Sequence, residues 1–318
     1  MAALAGWAHV RPRTRRDVLR ASALAALAAP LAACQTGYSD EPDPLALLAE
    51  QARSDAAAAD AVVASSPAAA DVAREYAAAR TRHAQALQSE VDRLNRPKAA
   101  VQPVVPSADG PAGLKQRLAT AREQAEALVG PLPRYRAGLV AAVAGGCAGL
   151  QQVGSALGPG ADPGAVTAPS SQVPPESVGP LQQALSAEHA ALWVYGLVSA
   201  FLPDAYDAGV AEGTREHQDR RDACVRMLTG AGVAPQVAEP AYLTPQPVTD
   251  ATSAKSVVAT AEADSATAWR GVLEQTDDTA LREVALNALL ASARRGTRWR
   301  EAAGEHPTAI VLPGAPQA

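Results

Sequence analysis

The run Leu181 to Leu202 (LQQALSAEHAALWVYGLVSAFL) limits what this chain can fold into more than any other stretch. Leu181, Leu185, Glu188, Leu192, Tyr195 and Leu202 recur at steps of three and four residues or their sum, the period of a helix with one apolar stripe. One member is wrong for a purely apolar seam. Glu188 stands where a leucine is expected, and a buried carboxylate is costly unless it is paired, hydrogen-bonded or bound to metal. Candidate function therefore starts at Glu188.

The rest of the chain favours the same class. It is 48% hydrophobic but only 3% aromatic, with one Phe, so the apolar mass is largely alanine, leucine and valine. Alanine is the strongest helix former and lets helices approach closely, which predicts an all-α protein. The net charge of −5 argues against an electrostatic nucleic-acid binder.

The N-terminus reads as an address. Thr14-Arg15-Arg16-Asp17-Val18-Leu19-Arg20 resembles the twin-arginine export motif, and the apolar run from Ala21 to Ala33 has signal-peptide length, too short to span a bilayer. It ends in Leu31-Ala32-Ala33-Cys34, which is similar to a bacterial lipobox. That pattern implies that the Cys34 thiol takes a diacylglyceryl group, with acyl chains such as palmitate, and becomes the new N-terminus. Loss of residues 1–33 removes Arg11, Arg13, Arg15, Arg16, Arg20 and Asp17. It leaves 23 basic and 32 acidic side chains, a net of −9. Such an acidic body does not lie flat on an anionic leaflet, so attachment rests on the lipid. The expected location is extracytoplasmic, on the outer face of the cytoplasmic membrane. Cys147 and Cys224 remain, either as a disulfide or as small apolar core filler.

Residues 34–44 read as a tether. Helices are predicted over 45–64, 68–95, 114–129 and 135–157, with Pro and Gly in the connections, as an N-terminal four-helix bundle over 45–157. Gly158 to Gly179 lacks apolar periodicity and is expected to be a mobile linker. Four more helices are predicted at 181–202, 205–228, 253–275 and 279–303, a second bundle over 180–304, followed by a frayed tail over 305–318. Short matches between the halves suggest an internal duplication, with Glu50 and His83 as counterparts of Glu188 and His217.

In the second half, His217 is in phase with Val210, Cys224 and Leu228. Glu262 is in phase with Val258, Ser265, Trp269 and Val272. Three helices thus each aim one metal-capable side chain at the interior. The segments AEHAALWVYG (187–196), REHQDRRDA (215–223), AEADSATAWRGVL (261–273) and RWREAAG (298–304) resemble the ferritin-like superfamily. Within it, they are most similar to a ferritin-like domain of unknown function in secreted and lipid-anchored actinobacterial proteins. The resemblance implies an antiparallel four-helix bundle and a di-metal carboxylate site built from single Glu residues and Glu-x-x-His pairs. Glu188, Glu262 and His217 fit that set. Thr214 stands where a Glu would precede His217, and the last helix offers Arg294, Arg295 and Arg298 in place of further ligands.

Two expectations follow. One is an ion-pair network of Glu188 and Glu262 with Arg295 or Arg294, since an always-charged guanidinium matches a carboxylate and repels a cation. The other is a metal site on Glu188, His217 and Glu262 for one divalent ion such as iron. No phosphate loop, paired CxxC or Ser/His/Asp order is present. The expected function is a non-enzymatic, lipid-anchored binding or envelope protein without cofactor, its partner an envelope protein or a second copy. The alternative is a mononuclear or di-metal carboxylate protein, for iron binding or oxidation.

Overall fold

The computed structural model describes residues 43–94, 110–169 and 171–315. Arg15, Arg16 and Cys34, with the signal segment, the tether as far as residue 42 and the 95–109 connection, lie outside the described residues. Among the described residues the structure is all-α. The helices are α1 (Pro44–Ser65), α2 (Ala70–Arg93), α3 (Gly110–Val129), α4 (Arg134–Leu150), the single turn α5 (Gly154–Leu157), α6 (Val178–Val198), α7 (Asp207–Gly230), α8 (Ala251–Gln275) and α9 (Thr279–Ala303).

Local chemistry sets several of these ends. Asp43 caps α1 by accepting from the Leu45 amide at 3.0 Å, with Pro44 at the first helical position, where its missing N–H costs nothing. Asp250 and Ser253 cap α8 reciprocally, and Asp278 accepts from the Leu281 amide at 2.7 Å to start α9. Gly304 ends α9 with φ of 75°, the left-handed conformation that glycine adopts without a Cβ clash. Helix α6 stops at Val198, so Leu202 falls outside it. Its fully buried stripe runs through Leu181, Leu185, Glu188, Ala191, Val194, Tyr195 and Val198, with Leu192 half-buried.

In the second half, α6 packs on α7 and α8, and α8 packs on α9. Residue pairing gives the directions. Glu188 meets His217 while Tyr195 lies against Gly213, so α6 and α7 are antiparallel. Likewise Glu188 meets Trp269 while Tyr195 meets Glu262, and Glu262 meets Arg295 while Ser265 meets Ser292. All neighbours are antiparallel, and the long connection from α7 to α8 crosses the bundle. Helices α1 to α4 show the same pattern of neighbours: α1 on α2 and α3, α3 on α4, and α2 on α4.

Two separate bundles on a mobile linker were expected; Asp43–Ala318 instead forms one compact unit. The cause is α4. Its buried face wraps all the way round, from Ala137 through Val143 and Cys147 to Leu150, and a helix apolar on every side belongs inside a core. It packs on α2 and α3 and equally on α8 and α9, and one hydrophobic cluster runs from Leu45 to Leu290 through it. The Gly158–Gly179 segment is tied down: Arg122 and Arg294 both donate to the Ala161 carbonyl, Arg294 pairs with Asp162 at 2.6 Å, and Val173 is buried.

The expected frayed tail is also packed as far as residue 315. The Ala309 amide donates to Glu75 at 2.7 Å, and the His83 ring meets the Val311 carbonyl at 2.6 Å. Gly146 makes room for it, since a Cβ there would collide with the Val311 carbonyl and the His83 ring. Cys147 and Cys224 are free, buried thiols, and burial pushes both above the usual thiol range. Among the described residues no helix is long and apolar enough to cross a membrane.

Candidate functional site

Four helices contribute to one buried charge network inside the second half. Helix α6 supplies Glu188 and Tyr195, α7 supplies Glu216, His217 and Arg220, α8 supplies Glu262, Ser265 and Trp269, and α9 supplies Ser292, Arg295 and Trp299. Glu188, His217 and Glu262 are each fully buried.

His217 lies between the two carboxylates. Its Nδ1 is 2.5 Å from Glu188 Oε2 and its Nε2 is 3.1 Å from Glu262 Oε1. Ionised carboxylates only accept hydrogen bonds, so both ring nitrogens must donate, and the ring is an imidazolium. The electrostatics agree. Burial alone would lower the His217 pKa, but the charges of Glu188 and Glu262 and their hydrogen bonds hold it above the ordinary histidine value.

Each carboxylate has further donors. Glu188 Oε1 accepts from Trp269 Nε1 at 2.6 Å and Ser265 Oγ at 2.9 Å, and lies 3.9 Å from Arg220. Burial would raise its pKa, but His217 and then Arg220 hold it below the usual carboxylate value. Glu262 accepts from Arg295 Nε at 2.7 Å, Arg295 Nη2 at 3.2 Å and the Tyr195 hydroxyl at 2.7 Å. Against the same burial, Arg295 and His217 hold it well below the ordinary value. Trp299 Nε1 in turn donates to the Tyr195 hydroxyl at 3.2 Å.

The network reaches water at Glu216, whose side chain is 33% exposed. Glu216 pairs with the buried Arg295 and, at 3.3 Å, with the buried Arg220, which also donates to Ser292 at 2.8 Å. Three acids (Glu188, Glu216, Glu262) thus balance three cations (His217, Arg220, Arg295). The group is neutral and largely satisfied, the condition under which buried charge is tolerated.

The carboxylate–arginine contact is made by Arg295 on Glu262. Of the two arginines expected as alternatives, Arg294 is not part of it. One position round the helix from Arg295, it faces outward to the Ala161 carbonyl and Asp162. A metal on Glu188, His217 and Glu262 does not fit either. A shared ion needs all three side chains to converge on one point, whereas the imidazole here separates the carboxylates and spends a nitrogen on each. The Arg295 guanidinium fills the remaining side of Glu262. Among the described residues no group of three or more His, Cys, Asp or Glu is disposed to hold a metal ion.

The remaining histidines and acids of interest lie elsewhere. His189 is half-buried, with Nε2 3.3 Å from the Gln236 carbonyl of the crossover connection. Glu50 pairs with Arg53 on its own helix. The buried acid of α1 is Asp55, paired with Arg80 at 3.0 Å, and Arg80 also meets His83 Nδ1 at 3.0 Å. His83 is fully buried and, by burial and then the Arg80 charge, is pushed down to about 3. It is neutral, with its proton on Nε2 facing Val311.

Arg220 and Glu216 were missed in the sequence. Arg220 lies three residues after His217, on the same helix face, and that spacing was the available signal. Trp269, placed by its phase on the Glu262 seam, is a hydrogen-bond donor to Glu188.

Residues 180–317 match the model of a family described as a domain of unknown function, DUF4439. A similar solved structure is that of a conserved hypothetical protein, rv2844, from Mycobacterium tuberculosis. It is 35% identical, the match covers 41% of this chain and 99% of that one, and the TM-score is 0.40. No curated protein matches the chain.

Proposed function

We propose that this chain is an exported, lipid-anchored protein that acts by binding and not by catalysis. On this reading, a neutral charge network takes the place of the metal centre of ferritin-like carboxylate proteins. The carrying observation is His217, held as an imidazolium with one carboxylate on each nitrogen. Such a group has no free lone pair for a metal and no empty acceptor for a substrate proton. The neighbouring antiparallel helices and single long crossover are the arrangement of ferritin-like bundles, which supports descent from that scaffold. The order Arg15-Arg16, apolar run and Cys34 supports export and anchoring on the outer face of the cytoplasmic membrane.

The metal content of the full chain, purified without chelator, tests the binding reading. Only background iron, manganese and zinc are expected, unchanged in Glu188→Ala. Stoichiometric metal that disappears in Glu188→Ala would overturn it. Anchoring is tested by fractionation. Cys34→Ser should leave the membrane fraction or accumulate as uncleaved precursor, and unaltered processing and retention would refute the lipid attachment.

A further inference from the structure

A cleft of about 790 Å³ opens where α7 faces α9, roofed by residues 162–167. Among the described residues, Arg215, Arg220, Arg226, Arg294, Arg295 and Arg298 line it. Four acids, Asp162, Glu212, Glu216 and Asp219, leave a surplus of positive charge in this cleft, on a chain whose overall charge is −5. A local surplus of one sign over a low-dielectric backing concentrates counter-ions.

The partners show where that surplus is free. Arg294 is taken up by Asp162, Arg295 by Glu262 and Glu216, Arg220 by Glu216 and Ser292, and Arg298 by Glu212 at 2.7 Å. Arg215 and Arg226 are exposed and, among the described residues, have no acid partner. They are eleven residues apart on α7, three turns of helix, so they share one face about 16 Å apart along the axis. Between them stand Glu216, held by the two buried arginines, and Asp219, which is exposed and unpaired among the described residues. Two free cationic forks with acceptor carboxylates between them describe an occupant. Its ends carry oxyanions, and its middle is uncharged and donates hydroxyl hydrogen bonds.

We propose that the α7–α9 cleft binds a ligand with two phosphate groups joined by a neutral, hydroxylated spacer. Arg215 takes one phosphate and Arg226 the other through bidentate hydrogen bonds, while Asp219 accepts from the spacer hydroxyls. A single carboxylate or phosphate cannot engage both forks. A bridged phospholipid headgroup and a free sugar bisphosphate share this chemistry. The inference rests on the binding function proposed above and supplies its ligand class.

The full chain in non-ionic detergent is titrated calorimetrically with fructose 1,6-bisphosphate, with glycerol 1,3-bisphosphate as the headgroup probe, and with fructose 6-phosphate. Saturable binding is expected for a bisphosphate, at least tenfold tighter than for the monophosphate and weakened by added salt. The tighter of the two bisphosphates identifies the source. Arg215→Ala and Arg226→Ala should each weaken the bisphosphate tenfold or more, and each should bring it level with the monophosphate. Arg74→Ala, at an exposed pair near the start of α2 and outside the cleft lining, should leave it unchanged. Both changed residues are exposed, so helical circular dichroism should be that of the parent. No saturable binding at millimolar probe, equal affinity for one and two phosphates, or an unaffected Arg215→Ala/Arg226→Ala variant would each overturn the proposal. Such a failure with background metal content removes only the ligand class, whereas stoichiometric metal removes the binding function itself.

Discussion

Glu188→Gln is the most direct probe of the network, because it keeps the volume of the side chain, removes its charge and turns the oxygen facing His217 into an amide donor. The amide carbonyl of Gln can still accept from Ser265 and Trp269, which now donate at 2.9 and 2.6 Å. His217 Nδ1, at 2.5 Å, loses its anion, and Arg220, at 3.9 Å, loses part of its field. The buried cluster then carries one uncompensated positive charge. Removing one partner of a buried pair costs about 3–5 kcal/mol. The retained neutral hydrogen bonds place Gln near about 3 kcal/mol and Ala, which also opens a cavity, near about 5 kcal/mol. Against a total of about 5–15 kcal/mol for a folded domain, this is a large fraction. Urea unfolding followed by tryptophan fluorescence reads it, with Trp269 touching the altered group. Asp71→Asn, at a pair whose side chains are 98% and 61% exposed, is the control and should change stability by less than about 1 kcal/mol. Replacing Glu188 and His217 together by leucine should recover most of the loss, since Glu262 keeps Arg295 and Arg220 keeps Glu216. A Glu188→Gln loss no larger than that of Asp71→Asn would refute the claim that these charges are dry and mutually dependent.

Three further outcomes follow from other parts of the fold. His83 titrates at about 3 when folded against an ordinary 6.5, so the unfolded chain takes up a proton in that window and the native chain does not. Stability should therefore fall by about 1.4 kcal/mol per pH unit as pH drops from 6.5 toward 3, and His83→Gln should flatten that limb of the urea-midpoint profile. Gly146→Ala should displace the tail through its clash with the Val311 carbonyl, costing about 1–3 kcal/mol, with hydrogen exchange at residues 309–312 rising first. Arg294→Ala should free the Ala161–Asp162 segment, so that native-state proteolysis gains a cut within 158–179 that the parent resists.

The sequence was most legible where a periodic stripe carried one wrong residue. Glu188 on a leucine seam, Glu262 in phase with Trp269 and His217 in phase with Cys224 all pointed inward, because helical phase is local and needs no knowledge of neighbours. The partner of each charge was harder to name. Arg294 and Arg295 differ by one step round α9, about 100°, and helix rotation decides which faces Glu262. The domain boundary was misjudged for a related reason. Composition marks Gly158–Gly179 as a linker, but two arginines far away in sequence hold its backbone. The apolar residues of α4 read equally as one wall of a small bundle or as the shared centre of a larger core. Small residues on every face of α4 favour the larger core, since a helix at the edge of a bundle keeps a polar side.

The buried network and the open cleft arise from the same arginines. Well-packed helices stand about 8–10 Å apart, a spacing set by interdigitating apolar side chains. Helix α9 presents Arg295 and Arg298 toward α7, and α7 answers with Glu212, Glu216 and Arg220. Side chains of that length and charge hold the two helices further apart than α8 and α9, where Gly296 lies against Glu262 Cβ. His217 and Arg295 already balance Glu188 and Glu262, so the further buried cation, Arg220, needs a third carboxylate. Glu216 is that carboxylate, and its side chain, 33% exposed, is where the network meets water. The third carboxylate of the network thus lies in the α7–α9 cleft, which the free forks of Arg215 and Arg226 also line.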